Sequence, residues 1–278
     1  MNILFDFVRN SAACWGGAIF VCLTAASAAT AAPDPDVIER LAQADVVILG
    51  EVHDNPAHHQ VQADILIALA PKAVVWEMIT QEQADGLASI PISDASLVAD
   101  HLDWATSGWP DFDLYSPVFA AATGAQQFGG MVPRSSSKSV MEQGAATFFG
   151  SDAAEYGLDQ PLPIEEQQIR EADQMTNHCD ALPVEMLPMM VEFQRLRDTV
   201  LADAVVQAIQ ATGGPVAVIT GNGHARTDRG VPVYLANARP DVLVLSLGQA
   251  EAGQVAGTFD VVLDANPVER PDPCLAFQ

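Results

Sequence analysis

Val46-Val47-Ile48-Leu49-Gly50-Glu51-Val52-His53 reads as a strand that runs into chemistry. A continuous apolar run rich in β-branched residues and closed by glycine marks a strand buried on both faces, as in a parallel sheet. Immediately downstream, Asn55-Pro56 supplies an N-cap and a proline at the first helical position, so a helix is expected to about Ala70. Ala73-Val74-Val75-Trp76 repeats the buried-strand pattern and ends at Glu77. Val216-Ala217-Val218-Ile219 repeats it again and runs into Gly221-Asn222-Gly223-His224. Val242 to Leu247 and Phe259 to Leu263 are further expected strands, and Gly129 to Val132 a shorter one before Pro133-Arg134. Short apolar strands alternating with helices define an α/β fold: a mostly parallel sheet covered by helices on both faces.

The remaining segments read as helices over Val37–Ala44, Gln81–Leu87, Ala95–Trp104, Ile164–Thr176 and Val184–Ala211, the last stopped by Gly213-Gly214. Ser107–Asp111 reads as a loop, Ser135–Lys138 as a flexible connection, and the stretch from there to Pro163 as irregular. Residues 32–278 are taken as a single α/β domain, with about 81–211 as a helical insertion. No internal repeat or heptad pattern interrupts this.

Of 278 residues, 49% are hydrophobic and 17% charged, which is the balance of a globular chain with a sizeable core. Asp and Glu number 36 against 12 Lys and Arg, a net charge of −24. That balance excludes a nucleic-acid binder, which needs a basic face to neutralise phosphates, and a polybasic membrane module. Between Arg9 and Asp34 no residue is charged, and Trp15 to Leu23 followed by Ala29-Thr30-Ala31 reads as a signal peptide, residues 1–31, cut near Ala31. The alternative is an uncleaved membrane anchor. Cleavage leads to a periplasmic or secreted protein. It leaves Cys179 and Cys274, an even pair that reads as one disulfide or as two separate thiols.

In open parallel sheets, ligands bind beyond the carboxyl ends of the strands. There this sequence places Glu51 and His53, Glu77, Arg134, and Asn222 with His224. Glu51 and His53 are two apart, so in an extended segment they point to the same side. Such a set of carboxylates and imidazoles suits a divalent metal held by His53, His224 and Glu51, a general base acting on water, or a hydrogen-bonded structural core. His58 and His59, adjacent on the helix, point about 100° apart, so at most one need face a site. His101 reads as a surface residue, and Gln194, Arg197 and Asp198 as an ordinary helix-surface network. Met186, Met189 and Met190 are either core filling or a wall for a flat apolar ligand. Trp104, Trp109, Phe112, Tyr115 and Phe119 are either core or a ligand shelf.

Taken in order, ILGEVHDNPAHHQVQ (Ile48–Gln62), WEM with QEQADGL (Trp76–Leu87), WATSGWPDFDLYSPVF (Trp104–Phe119), PR (Pro133-Arg134), NHCDALP (Asn177–Pro183), QRLRD (Gln194–Asp198), GNGHARTDRGVP (Gly221–Pro232) and DPC (Asp272–Cys274) resemble the ChaN family, the haem-binding uptake members of the Tiki superfamily. The resemblance spans nearly the whole chain after the leader. It implies an exported haem-binding protein for haem and iron uptake, with Tyr115 as axial ligand to the iron. His53, His58, Trp109, Arg134, Met189 and His224 would surround the haem. It further implies partners among outer-membrane or periplasmic haem-uptake components. Because one shelf covers one face of a flat macrocycle, a homodimer closing over the other face is the symmetric expectation. The wider superfamily, with Tiki, TraB and the related erythromycin esterases, carries paired GxxH motifs and a Glu. Gly50–His53 and Gly221–His224 match these. The alternative function is therefore a metal-dependent esterase or peptidase in which Glu51, His53, Glu77 and His224 are catalytic.

Overall fold

A computed structural model describes residues 33–277. Six strands form one sheet: β1 (Val46–Glu51), β2 (Ala73–Trp76), β3 (Gln126–Gly129), β4 (Val216–Gly221), β5 (Val244–Glu251) and β6 (Val261–Ala265). Their order is β3-β2-β4-β1-β5-β6, and every neighbouring pair is parallel. The α/β class read from the sequence is therefore correct.

The three central strands alternate strictly. Val47, Leu49, Val74, Trp76, Ala217 and Ile219 face one apolar layer, while Val46, Ile48, Ala73, Val75, Val216 and Val218 face the other. A strand wetted on neither side needs carbon at every position, which is why these runs are unbroken. The first layer is closed by the helices Pro56–Leu69 and Phe112–Ala121, the second by the helices Leu187–Thr212 and Val231–Ala238. Asn55 caps the first of these helices, its side chain accepting from the Ala57 N–H at 2.9 Å, as its place before Pro56 requires.

Several expectations are corrected. The segment taken as a helical insertion contributes β3 to the sheet edge, and that strand sits at Gln126–Gly129 rather than Gly129–Val132. The stretch after Arg134, expected to be flexible and then irregular, forms the helices Ser137–Gln143 and Ala145–Phe149 and two 3₁₀ turns. Val140, Ala145, Ala153 and Leu158 explain this, because they bury against Leu196 of the long helix in a satellite cluster. The stretch expected as one helix to Trp104 stops at His101 and resumes as a single turn, Trp104–Ser107. The leader and its alternative as an anchor lie outside the described residues. Among the described residues, no helix is long and apolar enough to cross a membrane.

Cys179 and Cys274 form a disulfide with Cα atoms 5.4 Å apart. The C-terminal segment is held a second time by Arg270, whose guanidinium meets Asp54 at 2.6 Å and Glu251 at 2.6 Å.

Candidate functional site

Glu51 ends β1, Glu77 follows β2, and His224 lies on the single helical turn Asn222–Ala225 that follows β4. Because β2, β4 and β1 are neighbours in register, their carboxyl ends bring these three residues together. They sit on the floor of a cavity of about 1280 Å³. Trp104, Trp109, Met131, Arg134, Phe193 and Arg197 are among the residues that line its walls.

Glu51 is 2% exposed. Its Oε1 accepts from the Tyr115 hydroxyl at 2.8 Å and from His53 Nδ1 at 2.7 Å. Its Oε2 faces His59 Nδ1 at 3.3 Å. Since a carboxylate oxygen accepts, His53 carries its proton on Nδ1 and turns Nε2 away from Glu51. The described residues give that Nε2 no hydrogen-bond partner, the Glu77 carboxylate being 4.0 Å off. The His53 side chain is 33% exposed, and its ring meets Trp109 edge-on with centroids 4.9 Å apart. Burial alone lowers the His53 pKa, but the Glu51 hydrogen bond and the charges of Glu77 and Glu51 outweigh it, so the pKa stands above the ordinary value.

Glu77 anchors the other half. Its Oε1 accepts from Arg197 at 2.5 Å, and its Oε2 accepts from the Thr220 hydroxyl and the Gly221 N–H, both at 2.7 Å. His224 Nε2 stands 3.4 Å from the same carboxylate, and His224 Nδ1 meets Asp198 at 2.6 Å. Burial opposes the charge of Glu77. The cations His224, His53 and Arg197 and the Gly221 N–H prevail and hold its pKa at about 2. Asp198 is fully buried, and that burial pushes its carboxyl pKa up despite His224 and the two arginines nearby. Two carboxylate-oriented imidazoles thus flank one ionised carboxylate beside an open cavity, a geometry suited to orienting a bound group or moving a proton.

Other predicted residues fall elsewhere. His58 is fully buried in the core: its Nδ1 accepts from the Val52 N–H at 2.9 Å, and its Nε2 lies 3.4 Å from the Ala250 carbonyl. It does not line the cavity, because both its nitrogens serve the backbone. Met189 is half-buried and also off the cavity, one turn before Phe193 on the same helix. His101, expected at the surface, is half-buried and binds the Gln83 carbonyl at 2.9 Å. Of the aromatic segment, Trp104, Phe112, Tyr115 and Phe119 pack into the core, while Trp104 and Trp109 reach the cavity. Tyr115 is 0% exposed and does not line the cavity. Arg134 lines it, with its guanidinium over Gly108 and no carboxylate partner among the described residues.

The sequence reading missed Asp198, Arg197 and Gln194. They lie one helical turn apart on the long helix, and that spacing looked like a surface network. What separates them from one is the burial of Asp198, at 1% exposure, which periodicity alone does not reveal. Among the described residues, no group of three or more His, Cys, Asp or Glu is arranged to hold a metal ion, so the divalent-metal alternative finds no support here. The carboxylates concerned are already engaged by Tyr115, Thr220, Arg197 and backbone N–H groups.

A polar floor at the carboxyl edge of a parallel sheet, under a wide and partly aromatic cavity, defines an α/β protein with a built ligand site. The family model described as haem-binding uptake, Tiki superfamily, ChaN matches residues 37–235, and the chain belongs to that family. Among solved structures, the one titled "Cofacial heme binding to ChaN of Campylobacter jejuni" is 21% identical, with a TM-score of 0.63 over 82% of this chain and 89% of its own. A second, the type III effector HopBA1, is 14% identical, with a TM-score of 0.47 over 83% of this chain and 91% of its own. No curated protein matches the chain.

Proposed function

We propose that this protein binds haem in the cavity above Glu51, His53, Glu77 and His224 and serves haem or iron uptake outside the cytoplasm. The observation that carries this is the cavity itself. Its volume exceeds the several hundred Å³ of an ordinary small-molecule pocket. Its walls combine aromatic and apolar surface with Arg134, a cation without a carboxylate partner among the described residues, in a chain of net charge −24. A flat apolar ring bearing carboxylates suits that combination. Membership of a haem-binding uptake family and the printed title of the Campylobacter jejuni structure agree with it. Residues 1–31 would act as the export signal, and the Cys179–Cys274 disulfide suits an oxidising compartment. A homodimer closing over the outer haem face and partners in envelope haem uptake belong to the same reading. The test is a haemin titration of the apoprotein. Saturable binding that Trp109→Ala and Arg134→Ala weaken supports the reading, and a linear, non-saturating absorbance change overturns it.

Tyr115 is the ligand that the family resemblance points to, and it fits this geometry poorly. A tyrosinate ligand must lose its proton, yet burial and then the Glu51 charge push the Tyr115 pKa far up. Its oxygen would also have to leave Glu51 and cross from the core into the cavity.

One observation favours a second reading, an esterase or peptidase. His224 is oriented by Asp198 at 2.6 Å, in the manner of a general base. Turnover of ester or peptide substrates that His224→Ala abolishes would favour that reading over haem carriage.

A further inference from the structure

We propose that a second, smaller pocket adjoining the cavity binds a phosphate-sized tetrahedral oxyanion through Arg170, Arg226 and Arg229. The pocket has a volume of about 140 Å³. It forms where the helix Ile164–Asn177, the long helix Leu187–Thr212 and the segment that follows the Asn222–Ala225 turn meet. That volume is below the range of organic-ligand pockets and suits one small ion. Three of the ten arginines in a chain with 36 acidic residues converge on it. The proposal stands on this pocket alone, whatever the larger cavity holds.

Each guanidinium is only partly used. Arg170 Nε and Nη2 donate to Glu166 at 3.0 and 2.5 Å, and Arg226 Nε and Nη2 donate to Asp228 at 3.0 and 2.5 Å. Arg229 Nη1 donates to Asp173 at 2.6 Å, and its Nε reaches Asp228 at 3.5 Å. Nη1 of Arg170, Nη1 of Arg226 and Nη2 of Arg229 are left without an acceptor among the described residues. The need is greatest at Arg170, which is 6% exposed and whose Nη1 is shut off from bulk water. A buried donor with no acceptor is costly, so a ligand that supplies one is favoured. Donors arriving from separate elements call for acceptors on several sides of the ion. A tetrahedral oxyanion offers that, whereas a carboxylate holds its two oxygens in one plane and fits a single fork. The two carboxylates in the pocket wall are already engaged, Asp173 by Arg229 and Asp198 by His224 at 2.6 Å. Asn177, Gln194 and Gly223 line both spaces, so an ion bound here lies next to the Asp198–His224 pair.

The test is calorimetric titration of the full protein with sodium phosphate, against sodium chloride and sodium acetate at equal ionic strength. Saturable uptake of one phosphate per chain is expected, with acetate much weaker. Arg229→Gln should weaken phosphate binding about tenfold or more. Asp173→Asn removes the charge that engages Arg229, so it should tighten phosphate binding, a gain that a misfolded variant cannot give. The NMR signals of the His224 ring should move along the same saturation curve, because Asp198 borders the ion and accepts from His224. Glycerol phosphate binding as tightly as inorganic phosphate assigns the site to the terminal phosphate of an ester, and its exclusion assigns it to the free ion. A non-saturating response, acetate binding as well as phosphate, affinity unchanged in Arg229→Gln, or affinity unchanged or weakened in Asp173→Asn overturns the inference.

Discussion

Glu51 Oε2 and His59 Nδ1 face each other at 3.3 Å, fully enclosed, and neither has a hydrogen-bond partner elsewhere among the described residues. His59 Nε2 donates to the His53 carbonyl at 2.9 Å, because a carbonyl can only accept. Nδ1 would then present a lone pair to a carboxylate oxygen, so one proton must lie between the two atoms. That proton fixes the orientation of Glu51 and, through it, of His53. Glu51→Gln is expected to fold with nearly wild-type stability, because an amide can accept from Tyr115 and His53 on one side and donate to His59 on the other. Glu51→Ala leaves buried donors unpaired and should cost about 3–5 kcal/mol in urea unfolding. In the amide variant the His53 pKa, followed by NMR, should fall from its raised value.

Stability should form a plateau in mildly acidic solution. The Glu77 carboxyl is held at about 2 against an ordinary 4.5, so its contribution is complete above 4.5 and disappears as pH falls toward 2. That contribution is about 3 kcal/mol. The His53 pKa is raised from 6.5, so its contribution is complete below 6.5 and fades as pH climbs through the folded-state value. Urea midpoints measured across pH should trace both limbs. Glu77→Gln should flatten the acid limb, and an unaltered limb in that variant would remove Glu77 from the account.

Gly221→Ala tests the packing around His53. A Cβ at this position would stand 2.8 Å from His53 Nε2 and 3.1 Å from Cε1. The backbone N–H of the variant would still donate to Glu77, so only the imidazole is pushed. The expected cost is about 1–3 kcal/mol of stability, together with a displaced His53 resonance and weaker haemin binding. Wild-type haemin affinity with an unmoved His53 resonance would contradict the proposed position of the ring.

Reduction of Cys179–Cys274 opens a chain loop spanning 95 residues. The expected loss is about 2–5 kcal/mol, read from thermal unfolding with and without reductant. Asn177 and Pro273, beside the two cysteines, both line the cavity, so ligand dissociation should also quicken on reduction. Cys274→Ser should reproduce both effects without reductant.

Much of the sheet was legible because a doubly covered strand has one solution: carbon at every position, as in Val46–Leu49 and Val216–Ile219. The edge strand β3 was displaced in the reading because Gln126 and Gln127 are partly solvated and carry no such signature. Glu51, Glu77 and His224 were visible as residues that follow strands. Asp198 was not, since a helical Asp beside Arg195 and Arg197 reads as part of a solvated charge network whether its face meets water or a buried imidazole. Tyr115 was legible as a chemically capable residue, but its direction was not. Whether the Phe112–Ala121 helix turns that side chain inward depends on how it rests against Pro56–Leu69, a contact between distant segments.

The groups beneath the cavity come from positions 51, 77, 115, 198 and 224, scattered over most of the chain and joined only when the sheet closes. No fragment can hold them in place. Occupancy and folding are therefore linked by mass action: free ligand at a hundredfold excess over its dissociation constant adds about 2.7 kcal/mol to the stability of the entire molecule, so a melting curve becomes a gauge of occupancy.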